Sequence, residues 1–193
     1  MATDEAWLAD KRRYPKRPFL KEQSIWALAI YRWGRRIDQR RRGPLRWVHD
    51  RLYWISYRIV ETLTGIMLPR TAEIGPGLRI HHYYCMVGKN VKIGANCTMR
   101  QGVILAQRSA DGPEPIIEDD VDFGASSIVL GGVRIGKGAR IGAMALVLTD
   151  VPPGATAVGN PARIIEPKSK VAAISAAGEQ QPAPRAYPVP VPA

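Results

Sequence analysis

The stretch that decides the fold is "IEDDVDFGASSIVLGGVRIGKGARIGAMALVLTDVP", residues 117–152. An aliphatic residue or Phe recurs in it every six places, at Ile117, Phe123, Val129, Ile135, Ile141 and Val147. Gly or another small residue often follows at once, and a small or β-branched residue often stands four places on. Upstream, "VGKNVK", "IGANCT" and "MRQGVI" (87–104) keep the same beat. Neither the 3.6-residue period of a helix nor the two-residue alternation of a long strand matches it. A chain that turns a corner every six residues does: each hexad is a short strand plus a bend, with its first residue filling the core. Gly at the second place is read here as easing the bend through unusual backbone angles. Coils of this kind stack into a solenoid, each burying its face only against its neighbours.

The residues "VLGGVRIGKGARIGAMALVLTDVPPGATAVGNPARII" (129–165) resemble the hexapeptide-repeat acyltransferases, and "VPPGATAVGNPAR" is the most specific motif among them. The likeness covers about residues 74–165 and is nearest to serine acetyltransferase and its relatives in exopolysaccharide gene clusters. It implies a mostly β fold, a left-handed parallel β-helix in which three hexads make one coil of a triangular prism. The hand departs from the usual right-handed crossover rule and comes from the resemblance alone. The family also implies a homotrimer with active sites between neighbouring prisms.

Outside the repeat the chain changes character. Of the 193 residues, 1–70 carry 16 Lys and Arg against 7 Asp and Glu, and 71–193 carry 12 against 10. Residues 1–70 are expected to be helical, basic and Trp-rich, with all five Trp at positions 7, 26, 33, 47 and 54. One amphipathic helix is read around Ile25, Leu28, Trp33 and Ile37. A second follows the Gly43-Pro44 turn, with Leu45, Val48, Leu52, Ile55, Ile59 and Leu63 on one face. Such helices either cap the rest of the protein or attach to an anionic membrane surface. Residues 71–167 are expected to form the β-helix, and the Ala- and Pro-rich 168–193 a disordered tail.

The function classes narrow by elimination. Cys85 and Cys97 make no disulfide framework or zinc motif, and no secretory signal is visible, so a cytoplasmic location is expected, peripheral at the inner face of the membrane if residues 1–70 attach to it rather than cap the protein. No helix-turn-helix, zinc finger or stacking motif supports nucleic-acid binding. Histidine is scarce: His49, His81 and His82 are the three. A hexapeptide-repeat carbonic anhydrase needs three His on the β-helix around zinc, and here only His81 and His82 lie on it, adjacent and so expected to point to opposite sides of a strand. No metal is expected.

Acetyl transfer to a hydroxyl needs a base, an oxyanion donor and a groove for the coenzyme. A histidine with an ordinary pKa of ~6.5 is mostly neutral at pH 7 and suits the base role. In "GPGLRIHH" the family pattern places the catalytic base at His82 and a substrate-binding residue at His81, where serine acetyltransferases carry Asp. The excursion "LAQRSADGPEPI" (105–116) breaks the hexads as a surface loop. Where serine acetyltransferases end this loop in Arg-His, this chain has Pro113 and Glu114, and Glu114 is a candidate orienter or acid. The carboxylate expected to partner the base falls at Met67. The resemblance puts the pantetheine arm of acetyl-CoA near Ala125 and Ala143, with Lys137, Arg140 and Arg163 as phosphate partners. The leading expectation is an acetyl-CoA-dependent O-acetyltransferase whose acceptor is a saccharide. L-Serine acetylation and a non-catalytic trimeric scaffold are the alternatives.

Overall fold

The computed structural model describes residues 2–39 and 43–167, so the expectation for 168–193 lies outside the described residues. The front of the chain forms four helices, α1 (Ala2–Arg12), α2 (Pro18–Lys21), α3 (Ser24–Asp38) and α4 (Pro44–Thr64). α3 and α4 are the two that the apolar spacing anticipates, and α1 and α2 are additional.

The rest is a prism of three parallel faces. The first face holds β1 (Glu73–Ile74), β4 (Lys92–Ile93), β7 (Ile116–Ile117) and β10 (Arg134–Ile135). The second holds β2 (Arg79–Ile80), β5 (Thr98–Met99), β8 (Asp122–Phe123), β11 (Arg140–Ile141) and β13 (Thr156–Val158). The third holds β3 (Met86–Val87), β6 (Ile104–Ala106), β9 (Ile128–Leu130) and β12 (Leu146–Val147). Each coil visits the faces in that order, as a left-handed β-helix. A final strand, β14 (Arg163–Ile165), turns back antiparallel on β13 and ends the second sheet.

The register explains the period of six. Ile74, Ile93, Ile117 and Ile135 stack as one inward column, and Ile80, Met99, Phe123 and Ile141 as another. Val87, Leu105, Val129 and Val147 make the third. All twelve are buried. Strands of two or three residues have no stability of their own; stacking of coil on coil supplies it.

The glycines act differently from the expectation above. A Cβ on Gly94 would lie 2.6 Å from the Glu118 carbonyl carbon, and one on Gly75 would lie 2.7 Å from that of Gly94. Second-place Gly is therefore required by the close approach of the next coil. The left-handed backbone angle falls two places later, at Asn96 (φ 59) and Gly102 (φ 73) for example.

The first coil has no coil before it, so its backbone groups on that side need other partners. The helices provide them. Tyr31 Oη donates to the Ala72 carbonyl (2.9 Å) and accepts the Ile74 N–H (3.0 Å). Tyr14 Oη accepts the Ile80 N–H (3.1 Å), and Ser24 Oγ donates to the Ile80 carbonyl (2.8 Å). Asp10, fully buried, accepts the Leu78 N–H (2.9 Å) and pairs with Arg32 Nε (2.7 Å). Arg32 in turn donates to the carbonyls of Ile74 (2.7 Å) and Gly75 (2.6 Å). On the third face the main chain does the same work: Met67 donates to the Cys85 carbonyl and accepts the Val87 N–H.

So α1 and α3 are a cap. α4 packs on α3 through Tyr53, whose ring fills the space a Cβ on Gly34 would occupy. Its apolar stripe of Leu45, Val48, Leu52, Ile55, Ile59 and Leu63 faces outward, with exposures between 43% and 64%.

Two outcomes are expected. Asp10→Ala leaves Arg32 buried without its counter-charge and lowers unfolding stability by about 3–5 kcal/mol in denaturant titration, against about 1–3 kcal/mol for Tyr31→Phe, which leaves the Ile74 N–H and Ala72 carbonyl unpaired. Burial raises the thiols of Cys85 and Cys97 to about 11, so neither reacts with a disulfide reagent at pH 8 until the protein unfolds.

Candidate active site

The corner that follows β2 differs from every corner below it. Met99 to Leu105, Phe123 to Val129 and Ile141 to Val147 are six-residue steps, whereas Ile80 to Val87 is seven. The added residue makes His81–Tyr84 bulge, with left-handed backbone at His82 (φ 65) and Tyr84 (φ 59). His81 and His82 are thus corner residues and do not point to opposite sides of a strand. Their rings lie 6.2 Å apart, with His82 exposed and His81 half-buried.

The cap holds this corner from both ends. Tyr14 and Ser24 fix Ile80 directly before His81, and the His81 N–H donates to the Met99 carbonyl (2.8 Å). At the far end the Tyr84 N–H donates to Thr64 at the end of α4 (3.1 Å). The Tyr84 ring lies over Gly65, the left-handed cap of that helix. Arg79 stacks on Tyr14 (4.3 Å to the ring centre) and pairs with Glu22 (2.7 Å). The second oxygen of Glu22 is buried without a partner. Burial, with the Arg79 charge behind it, holds the His81 imidazole below its ordinary 6.5. Glu22 and Tyr14 were missed in the sequence, because no local pattern links them to Arg79 and Ile80 of β2, 57 and 66 residues away.

Below the His81–Tyr84 corner the edge between the second and third faces continues through Gln101, Ala125 and Ala143. The Ser126 N–H donates to Gln101 and the Met144 N–H to Ala125, both at 2.8 Å. His82, Ala125 and Ala143 therefore share one edge of the prism. Ala125, Ser126 and Ala143 are small and leave backbone near the surface, while the longer Gln101 and Met144 stand exposed beside them, walls that suit an extended chain carrying amide groups. Arg140 stands exposed just before the Gly142–Ala143 corner. Arg163 is exposed on β14 opposite Val158, whose side chain would meet a Cβ on Gly142 at 2.9 Å. Lys137 does not join them. Its hexad turns the corner between the first and second faces, where its ammonium lies 3.6 Å from Asp120 and 3.9 Å from Asp119. A cleft of about 540 Å³ opens on that side, lined by residues including Arg35, Glu73, Lys92, Glu118 and Lys137, with no histidine.

Glu114 lies elsewhere again. The loop between β6 and β7 folds back so that Pro113 packs over Gly132 and the Glu114 carboxylate over Gly88, at the corner between the third and first faces. Its Oε2 is buried with no partner. Within one chain Glu114 and His82 stand at different edges. Met67 sits beside Met86 on the third face, and no ion pair to His82 is formed among the described residues.

Residues 85–109 and 116–147 match the hexapeptide repeat of succinyl-transferase. The chain is 37% identical over 116 residues to a serine acetyltransferase of Bacillus licheniformis, covering 58% of this chain and 54% of that protein. It is 46% identical over 84 residues to a 2,3,4,5-tetrahydropyridine-2,6-dicarboxylate N-acetyltransferase of Staphylococcus aureus, covering 44% and 34%. The chain thus spans about half or less of the length of these curated relatives. Among solved structures, a serine acetyltransferase in complex with CoA superposes with a TM-score of 0.71 at 26% identity, covering 85% of this chain and 70% of that one. Residues 85–109 and 116–147 thus carry the hexapeptide repeat, and the chain resembles serine acetyltransferases in both repeat and architecture.

The environment of His81 carries a prediction. In NMR titration its ring signals move with a midpoint below 6.5. An imidazole whose folded pKa is lowered binds protons more readily in the unfolded chain, so it costs no stability above 6.5 and destabilises progressively as pH falls toward the folded value. His81→Gln flattens that part of the stability profile.

Proposed function

We propose that the protein is an acetyl-CoA-dependent O-acetyltransferase that acts at the His82 edge. The observation that carries this reading is the bulged corner that exposes His82 at the head of the edge formed by Ala125 and Ala143. The His82 imidazole takes the proton of an acceptor hydroxyl as its oxygen attacks the thioester carbonyl. The tetrahedral intermediate collapses with cleavage of the carbon–sulfur bond, and the imidazolium returns the proton to the departing coenzyme A thiolate. The coenzyme lies along Ala125 and Ala143, with Arg140 and Arg163 as its phosphate partners. This reading is supported by the names of the relatives and by the CoA complex of a structural neighbour.

The acceptor is a saccharide hydroxyl in this proposal. Glu114 stands where the resemblance calls for the Arg-His pair, and a carboxylate there repels the carboxylate of a free amino acid. His81 likewise replaces the Asp of the serine enzymes. L-Serine is the second reading, favoured by the serine acetyltransferase relatives. The protein acts as a homotrimer: Glu114 and His82 stand at different edges of one prism, and a threefold arrangement lets the loop of one copy reach the His82 edge of the next.

Thiol release from acetyl-CoA, with products identified by mass spectrometry across sugars, glycan precursors and L-serine, tests this. The parent is expected to turn over a saccharide faster than serine. His82→Ala is expected to lose about 10²–10⁴-fold in kcat, and Glu114→Gln less. Efficient O-acetylserine formation overturns the acceptor. Turnover that survives His82→Ala overturns the base. No turnover with any acceptor leaves the scaffold alternative standing.

A further inference from the structure

The outward face of α4 is a continuous apolar stripe on a helix of 21 residues, about 30 Å long. Leu45, Val48, Leu52, Ile55, Ile59 and Leu63 follow one another at three- and four-residue steps and none is covered. Along one flank runs a second exposed line, Trp47, Arg51, Trp54 and Arg58. The Arg51 guanidinium lies 5.4 Å from the centre of the Trp47 ring. The carboxylates of this helix are engaged by arginines: Asp50 by Arg70 at 2.6 Å and Glu61 by Arg58 at 2.8 Å. The exposed face therefore presents hydrocarbon, indole and positive charge, with no exposed carboxylate.

We propose that this face docks on an anionic phospholipid surface, with α4 lying in the plane of the membrane. The stripe enters the acyl boundary, Trp47 and Trp54 sit at headgroup level, Arg51 meets lipid phosphate, and Arg58 adds a contact through the guanidinium nitrogens that Glu61 does not hold. Charge complementarity selects this occupant over a second copy of the chain. Antiparallel pairing of two α4 faces about a twofold axis sets each Trp/Arg flank against its like. Parallel pairing offers those arginines no carboxylate either. No described helix is long and apolar enough to cross a membrane, so docking is in-plane. α4 ends at Thr64, the residue that accepts the Tyr84 N–H of the His82 corner. Docking thus brings the candidate active site to the lipid surface, where a lipid-anchored glycan would present its hydroxyls.

The test uses the full chain with no acceptor or acetyl-CoA, so its outcome is independent of the transfer reaction. Co-sedimentation is measured with phosphatidylcholine vesicles and with vesicles containing about one-third phosphatidylglycerol. Binding is expected to the anionic vesicles, weakening as salt rises. Leu52→Glu/Ile55→Glu, with thermal midpoint and oligomeric mass unchanged, is expected to bind at least about tenfold more weakly. Arg51→Gln/Arg58→Gln keeps the stripe and is expected to lose most of the preference for anionic lipid. The proposal is overturned by absent sedimentation at low salt or by undiminished binding of both variants. It is also overturned if Leu52→Glu/Ile55→Glu changes the oligomeric mass, which would place this face between copies of the chain.

Discussion

A β-solenoid begins with an open row of backbone donors and acceptors, and closing that row is the constraint on which this structure depends. Here the closure is made by side chains. Tyr31, Asp10 with Arg32, and Tyr14 with Ser24 meet Ile74, Leu78 and Ile80 in turn. Each neutral bond contributes only about 1 kcal/mol, but leaving the same groups buried and unpaired costs more than forming them gains. A helical cap also removes an edge that would otherwise pair with another chain. Four of these five side chains belong to α1 and α3 and are held there by helix packing, so the first coil is positioned by a rigid body.

The candidate chemistry inherits that rigidity. Ile80, bound by Tyr14 and Ser24, is the residue before His81, and the corner ends at Tyr84 on the last turn of α4. A seven-residue step between two fixed points has little choice of path, and it adopts left-handed backbone at His82 and Tyr84. The same helices that cap the prism thereby hold an exposed imidazole at the head of the edge of Gln101, Ala125 and Ala143. The buried second oxygen of Glu22, beside Arg79, shows how closely the cap is packed against this corner.

Much of this was legible in the sequence where the code is local. The inward columns follow from hexads 117–152 because every sixth side chain meets its like in the adjacent coil. Family resemblance pointed to His82 and, separately, to Ala125 and Ala143; that the three share one edge follows from the register of the coils. A helical cap was one of two readings of the basic helices, but its contacts could not be read locally, since Tyr14 and Ile80, or Asp10 and Leu78, lie 66 and 68 residues apart. Lys137 was placed by its charge and its nearness in sequence; it stands six residues before Ala143, and with three hexads to a coil that puts it on the neighbouring edge. The role of second-place Gly was misread for a related reason: bend and close approach leave the same residue in the sequence, and only the neighbouring coil distinguishes them. The stripe of α4 was visible from its spacing, whereas its outward direction depends on Tyr53 claiming the contact with α3.

The central claim is that the edge between the second and third faces, headed by His82, is where the coenzyme binds. A crystal structure of the chain with coenzyme A bound tests it most directly. The account predicts the pantetheine arm along Ala143 and Ala125, with the thiol within hydrogen-bonding reach of His82. Coenzyme found instead in the cleft of Glu73, Lys92 and Lys137, on the edge between the first and second faces, would contradict it.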